Sequence, residues 1–347
     1  MVVRHRLAAS VALLFTPLVA LSADVSVYGS ANVEMASYQD KWPEGVTRVA
    51  DYPEKDGLRL EDNTRGRFGI KAAEDLGGGM SSFARFEWEL STVTNTSPNA
   101  ADGSNASLTR RMSYVGLAGG FGAVMAGNLK SPYKYTGGVK YDPFVTTSLE
   151  ARGNGGMSGG EFGHEDFLDR MVAYESPRSG ALRGRIAYGF EREDNALSLD
   201  LLFRREAWEV FVAYFDSGKR ARLTDPADLT SSQPFDYRAA KIGGQYRSEN
   251  EAHRLSLQYE YIEDASSGVT SKPSLWFLGY QFKLGKLLLA VQGGRSSGAA
   301  LTTPDSDYAA AGAIYKFSRE TRIYTGYRYS KDLEAVFTFG LRKDFRS

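Results

Sequence analysis

Residues 132–166 carry five carboxylates, Asp142, Glu150, Glu161, Glu165 and Asp166, set among Gly153, Gly155, Gly156, Gly159, Gly160 and Gly163. Glycine lets a chain bend back on itself without steric cost, so this segment can carry its acids to whatever surface lies opposite. Basic candidates for that surface are Arg65, Arg67, Lys71 and Arg85, then Arg110 or Arg111, with Arg170, Arg183 and Arg185 extending the row. Carboxylates set against guanidinium and ammonium groups across water make a transverse field. Such a field orders water and sorts solutes by charge and dipole. For any single arginine the plainer alternative is a solvated charge with no filtering role.

Catalysis is a poorer use of these residues. Beyond the first 23 positions only His164 and His253 supply imidazoles, one in the acid-rich segment and one beside a tight turn. A hydrolase needs a nucleophile, a base and an orienting group within reach, and no histidine pair has metal-ligand spacing. The glycine-rich run from Gly153 to Gly163 precedes no helix, so it is a loop and not a phosphate cradle. The chain is read as a non-enzyme that needs no cofactor and no metal.

The elements that position these charges are strands. Between Val25 and Phe345 the chain runs in stretches that alternate apolar and polar, joined in turn by tight turns and long polar loops. That is the pattern of a transmembrane, antiparallel, up-and-down β-barrel. In 334–345, for example, Ala335, Phe337, Phe339, Leu341 and Phe345 fall on one side, and Val336, Thr338, Gly340, Arg342 and Asp344 on the other. The pattern predicts strands over 24–38, 59–74, 79–91, 108–118, 121–131, 167–177, 181–192, 195–206, 207–216, 236–248, 253–264, 273–284, 286–296, 307–318, 320–331 and 334–345. Sixteen is an even number, as a single-chain bacterial barrel requires. Tight connections at Gly77 to Gly79, Gly119-Gly120, Arg178 to Gly180, Leu284-Gly285 and Ser318-Arg319 alternate with long ones at 39–58, 92–107, 132–166, 217–235, 265–272 and 297–306. A Greek-key sandwich would not keep that alternation.

Facing follows from the same period. Leu197, Leu199, Leu201 and Phe203 point to lipid, and Ser198, Asp200, Leu202 and Arg204 point inward. Trp276, Leu278, Tyr280 and Phe282 are outward, with Leu275, Phe277, Gly279 and Gln281 inward. Phe68, Ile70 and Ala72 face lipid, which turns Arg67 and Lys71 inward, and Arg85 opposes the outward Ala84, Phe86 and Trp88. Aromatics near strand ends, such as Tyr28, Trp88, Tyr114, Trp208, Tyr261, Tyr315, Tyr329 and Phe345, suit interfacial girdles. Ala309, Ala311, Gly312 and Ala313 make one strand smooth, fit for lipid or for another subunit.

Residues 1–23 are read as a cleaved signal peptide: Arg4 and Arg6 precede a short apolar run from Val11 to Leu21, with small residues at Ser22 and Ala23. The barrel domain then covers 24–347. Formal net charge is zero over the whole chain, so no field for nucleic acid is implied. Cysteine is absent, which excludes a disulfide framework and thiolate metal sites.

Four segments together carry a family resemblance. Arg111 to Gly127 (RMSYVGLAGGFGAVMAG) resembles the strand-turn-strand signature of Gram-negative general porins. Tyr174 to Gly180 (YESPRSG) is similar to their turn after the third loop, Phe337 to Phe345 (FTFGLRKDF) to their closing strand, and Val25 to Gly29 (VSVYG) to their opening. Gly160 to Gly163 resembles the acidic tip of their third loop, which marks Glu161 as the leading acid. The resemblance implies a homotrimer of water-filled barrels in the cell outer membrane, in contact with lipid and lipopolysaccharide. The third loop is then folded into each lumen, and small hydrophilic solutes and ions diffuse through passively. A substrate-selective channel on the same fold, or a structural or adhesive barrel without an open pore, are the alternatives. Two departures stand out. Asn128 occupies a position that usually carries arginine, which weakens the expected basic side, and Arg346 and Ser347 follow the usually terminal phenylalanine, Phe345.

Overall fold

A strand with leucine on one face and serine or aspartate on the other needs a different solvent on each side. The computed structural model meets that need by closing the strands on themselves. It describes residues 24–45, 54–63, 66–94, 108–159, 167–190, 195–223, 232–265, 270–298 and 305–347. The strands are β1 Asp24–Asp40, β2 Gly57–Glu61, β3 Gly66–Gly77, β4 Met80–Leu90, β5 Leu108–Gly119, β6 Gly122–Lys130, β7 Phe167–Glu175, β8 Leu182–Gly189 and β9 Leu197–Arg205. They continue as β10 Trp208–Leu223, β11 Ser232–Arg247, β12 His253–Asp264, β13 Ser274–Leu284, β14 Leu287–Ser297, β15 Ser306–Lys316, β16 Thr321–Ser330 and β17 Glu334–Arg346.

Pairing is antiparallel throughout the barrel, and β1 closes on β17 from Tyr28↔Arg346 to Asp40↔Glu334. β2 and β3 both pair with β1, through Tyr38↔Gly57 to Glu34↔Glu61 and then Ser30↔Arg67 to Asp24↔Ala73. They are two halves of one stave, so the closed barrel has 16. The pattern had predicted an unbroken strand over 59–74. It is interrupted where Asn63, at φ 47°, turns its amide to donate to the Thr147 carbonyl at 2.8 Å. A second difference lies at 217–235, expected as loop. After a bulge at Asp216, β10 and β11 continue as a ribbon from Lys219↔Asp236 to Leu223↔Ser232.

Facing matches the alternation. Leu199, Leu201 and Phe203 are exposed while Ser198, Asp200 and Leu202 are buried, and Trp276, Leu278 and Tyr280 are exposed while Leu275, Phe277 and Gln281 are buried. Phe337, Phe339 and Leu341 join them on the outside. Such a surface suits hydrocarbon and would be an aggregation hazard in water. Short turns gather on one rim with the chain ends, where the Ser347 amide donates to the Val27 carbonyl at 2.9 Å. In outer-membrane barrels that rim is periplasmic. Gly77, Gly78 and Gly79 take φ of 78°, 62° and 77°, three left-handed residues in succession that only glycine adopts cheaply.

The buried apolar clusters do not fill a sheet-on-sheet core. They lie between the barrel wall and the segment after β6. One joins Tyr141, Ala151 and Met157 of that segment to Phe211, Phe277 and Tyr308 of the wall. Another joins Phe144 and Leu149 to Ala290, Ile314, Tyr324 and Val336.

Candidate functional site

The segment that leaves β6 folds into the lumen. Its first turn is a short helix, α1 Pro132–Tyr135, begun by Pro132 and capped by Ser131, whose hydroxyl accepts from the Lys134 amide at 3.1 Å. From there the chain crosses the interior and is bonded to wall after wall. The Tyr133 amide donates to Ser198 Oγ at 3.0 Å, and the Tyr133 hydroxyl donates to Glu260. The Gly138 amide donates to Gln258 at 2.7 Å, and the Tyr141 hydroxyl to Glu209 at 3.1 Å. Further on, Tyr308 donates to the Leu149 carbonyl at 2.6 Å and Asn32 to the Thr146 carbonyl at 3.1 Å. Glu34 accepts from the Ser148 amide at 3.0 Å and from its hydroxyl at 2.8 Å. On the return, Ser330 donates to the Asn154 carbonyl at 2.9 Å and the Ser158 hydroxyl to Glu260 at 2.7 Å.

Wall glycines make the seat. A Cβ on Gly326 would stand 2.5 Å from Leu149 Cδ1, one on Gly312 3.0 Å from the Phe144 ring, and one on Gly294 2.5 Å from Gly156 Cα. These contacts leave no room for any larger residue.

This geometry corrects the role expected of the loop acids. Asp142 and Glu150 are buried and hold the loop together; they do not face the passage. Asp142 accepts from the Ala151 and Phe144 amides at 2.8 Å each and from Gln292 at 3.0 Å. Burial pushes its carboxyl up to about 6 against the pull of those donors. Glu150 accepts from the Thr146 amide at 3.1 Å and pairs with Arg152 at 2.9 Å. Glu161, Glu165, Asp166 and His164, and the wall candidate Arg65, lie outside the described residues.

Several of the basic candidates lie together on the wall. Arg85 Nε donates to the Tyr28 hydroxyl at 2.6 Å, its Nη2 pairs with Glu87 at 2.7 Å, and Tyr28 donates to the same carboxylate at 2.7 Å. Arg111 pairs with Glu87 at 3.1 Å and with Glu89. Lys71 lies 4.6 Å from the Tyr28 ring centre. Arg67 keeps its Nε buried without a partner. Arg185 binds Asp200 through Nε at 3.0 Å, and Arg183 reaches Glu175 at 3.5 Å.

Two basic candidates stand elsewhere. A bulge between Glu87 and Trp88 sets Arg110 opposite the outward Trp88. Arg110 is therefore exposed on the outer face, where it pairs with Asp169 at 3.1 Å. Asn128 shares that face, donating to Asp169 at 2.7 Å, so its replacing an arginine removes nothing from the lumen. Arg170 sits exposed in a second bulge at φ 52°.

The structure adds residues that the alternation did not single out. Lys130 closes β6 with ring contacts to Phe167 at 5.8 Å and Tyr135 at 6.0 Å, and has no ion pair among the described residues. Tyr135 projects from the loop with Lys140 at 4.5 Å and Arg185 at 4.4 Å from its ring centre. Burial, and Arg185 beside it, push the Lys140 ammonium down to about 8. A space of about 120 Å³ between loop and wall is lined by Arg85, Lys130, Tyr135, Glu175 and Arg185, among others. Among the described residues, the five cations Arg67, Lys71, Arg85, Arg111 and Lys130 gather around Glu87 and Glu89, with Asp344 also acting on Arg67. A lysine directly before a loop and glutamates interrupting an aromatic strand were the available signals in the sequence.

Two serines stand in the G-x-S-x-G spacing of a hydrolase elbow, Ser158 and Ser296. Neither sits on a strand-to-helix turn. Ser158 is fully buried on Glu260, and Ser296 lies within β14 opposite Ser306. Among the described residues no group of three or more His, Cys, Asp or Glu can hold a metal ion.

Comparison with known proteins agrees with this architecture. A family model described as Gram-negative porin matches residues 8–334. The major outer membrane protein P.IB of Neisseria gonorrhoeae is 26% identical over 253 residues, which is 70% of this chain and 64% of that protein. The alignment thus spans just under two thirds of that relative. P.IB of Neisseria lactamica is 35% identical over 121 residues, 34% of this chain and 32% of that protein. Among solved structures, an anion-selective porin from Comamonas acidovorans superposes with a TM-score of 0.71 at 17% identity, covering 93% of this chain and all of that one. OmpT, an outer membrane protein of Vibrio cholerae, gives 0.67 at 14% identity, covering 93% of this chain and 98% of that one. At such identities the superpositions establish the fold.

Proposed function

The chain belongs to the Gram-negative porins, and from that premise we propose that it forms an outer-membrane channel for passive diffusion of small hydrophilic solutes and ions, biased toward anions. The observation that carries the reading is the seated loop. Its described acids are spent on its own folding, while Arg67 and Lys130 on the wall it faces make no direct ion pair among the described residues and share Glu87 with their neighbouring cations. A narrow passage with low-dielectric walls focuses such a field and concentrates ions of the opposite sign. The solved relative from Comamonas acidovorans is described as anion-selective, which is consistent with this bias.

In the same reading the protein assembles as a homotrimer among outer-membrane lipid and lipopolysaccharide, and residues 1–23 are removed on export. Family membership supports both statements. Glu161, Glu165, Asp166 and Arg65 remain candidates for the narrow zone beside Arg67, Lys71, Arg85, Arg111, Arg183 and Arg185.

Planar bilayers test the function. Stepwise conductance that does not saturate, with a reversal potential of anionic sign under a salt gradient, is the expected result. A cationic sign overturns the bias, and electrically silent protein overturns the channel. Block by one class of solute at low concentration would instead favour a substrate-selective channel.

A further inference from the structure

Below the loop, toward the rim of short turns, the lumen wall carries a second set of cations that the constriction does not use. Register places them. Arg254 stands opposite Arg247 on one side and opposite the inward Gln281 on the other. Lys283 stands opposite Leu288, which packs against the loop-facing cluster. Lys316 stands opposite Arg322, which in turn stands opposite Arg342. All point inward at the end of their strands next to the short turns.

Like charges placed directly opposite one another destabilise a sheet. Part of the repulsion is relieved locally. Asp344 pairs with Arg342 at 2.9 Å and with Arg322 at 3.4 Å, and Arg247 donates to Gln245 at 2.7 Å. Arg254, Lys283 and Lys316 have no such relief: none has an ion pair or a side-chain hydrogen bond among the described residues. They line one cavity of about 90 Å³ together with Gln281 and Lys286, and among the described residues the one acid on its edge is Glu251. Lys316 lies within the electrostatic reach of Arg254, Lys283 and Arg322 together.

We propose that this cavity at the periplasmic mouth is a binding site for a small multivalent oxyanion, a phosphate or the phosphoryl end of a larger solute. Three converging cations exceed what a single chloride neutralises. The cavity is open on one side, so a group attached to the oxyanion would extend into the lumen. Gln281 lines it as well, its amide donating to the Tyr141 carbonyl of the loop at 3.1 Å. The site rests on the channel reading but not on the anion bias of the constriction, from which the loop separates it. Its consequence is directional: an anion that has passed the loop meets a station that holds it on the periplasmic side.

Single-channel recording with inorganic pyrophosphate tests the proposal. A cysteine introduced as Ser318→Cys, in a chain that has none of its own, tells the two chambers apart through a bulky impermeant thiol reagent. Pyrophosphate from the periplasmic chamber should reduce current at a concentration about tenfold or more below that needed from the other chamber, the scale at which focused fields raise local ion concentration. The combined change Arg254→Gln, Lys283→Gln and Lys316→Gln should abolish that difference. Because it removes repulsion, the variant should fold at least as stably as the parent. Equal block from both sides, or equal block of parent and variant, overturns the site. Orthophosphate and glycerol phosphate in the same assay separate free phosphate from a phosphoryl ester. As a second measurement, pyrophosphate should raise the unfolding temperature of the purified parent and not of the variant; no shift in the parent also overturns it.

Discussion

Changing Arg67 and Lys130 together to glutamine removes two charges from the narrow zone and leaves no carboxylate stranded, because neither is ion-paired among the described residues. The group of Arg67, Lys71, Arg85, Arg111 and Lys130 then keeps three cations against Glu87 and Glu89. At roughly 7 Å in water one unit charge acts on a passing ion with about 0.6 kcal/mol, and screening at 0.1 M salt halves this to about 0.3 kcal/mol. The term has opposite sign for anion and cation, so each charge removed changes their permeability ratio about threefold, and the pair about sevenfold. At 1 M salt the Debye length falls to about 3 Å and the combined effect should drop below about twofold. Reversal potentials across a potassium chloride gradient, measured at both ionic strengths, read this ratio directly. The double variant should move toward cations at low salt and hardly at all at high salt. A shift toward anions, or no shift at low salt with unchanged conductance, would refute the reasoning.

The loop seat should fail when a wall glycine gains a side chain. Gly326→Val, aimed at a contact of 2.5 Å with Leu149, should raise single-channel conductance and current noise, and quiet parental currents would count against the seat. Asp142 sets a pH window for the same loop. Its pKa stands at about 6 when folded against an ordinary 3.8, so seating is favoured below about pH 4 and loses about 3 kcal/mol as pH rises through 6. Amide exchange at Phe144 and Ala151, corrected for intrinsic rate, should therefore show protection falling from about pH 4 to about pH 7, with Asp142→Asn flattening the profile; protection that rises with pH sinks the assignment. On the outer face, Leu199→Arg should cost roughly 2–4 kcal/mol of barrel stability in lipid, and a variant as stable as the parent would show that strand to be turned the other way. Native mass measurement in mild detergents should find a trimer; monomers alone across several detergents would contradict the assembly.

The barrel was legible because its information is local. Leu199 outward and Asp200 inward follow from a period of two, whatever the rest of the chain does. What stayed hidden depended on partners far away in sequence. The break after Glu61 exists because Asn63 bonds Thr147, 84 positions later. Arg110 and Arg111 could be told apart only by the bulge at Trp88 on a neighbouring strand. The direction of Asp142 and Glu150 had no periodic signal at all, since a glycine-rich loop has none. Acidic composition suggested a charged lining, while their hydrogen bonds with Gln292 and Arg152 turn them into the loop's own frame.

The seat of that loop also fixes an order of events during biogenesis. Asn32 and Glu34 belong to the first strand, yet they hold Thr146 and Ser148, each partner pair 114 positions apart. Glu34 also accepts the hydroxyl of Thr338 from the last strand, 304 positions away, and Tyr324 reaches Asn32 across 292. The part of the docking surface that holds Thr146 and Ser148 is therefore complete only when the two ends of the chain have met and zipped together. Contacts at such separation form late, because the intervening chain has to be gathered first. Full seating of the loop is thus coupled to closure of the barrel. A chain stalled before closure has a free strand edge and a loop held at its first half, by Ser198, Glu209, Gln258 and Glu260, but not by Asn32 and Glu34. Completing the circle and fixing the loop's narrow stretch therefore depend on the same residues, Asn32 and Glu34.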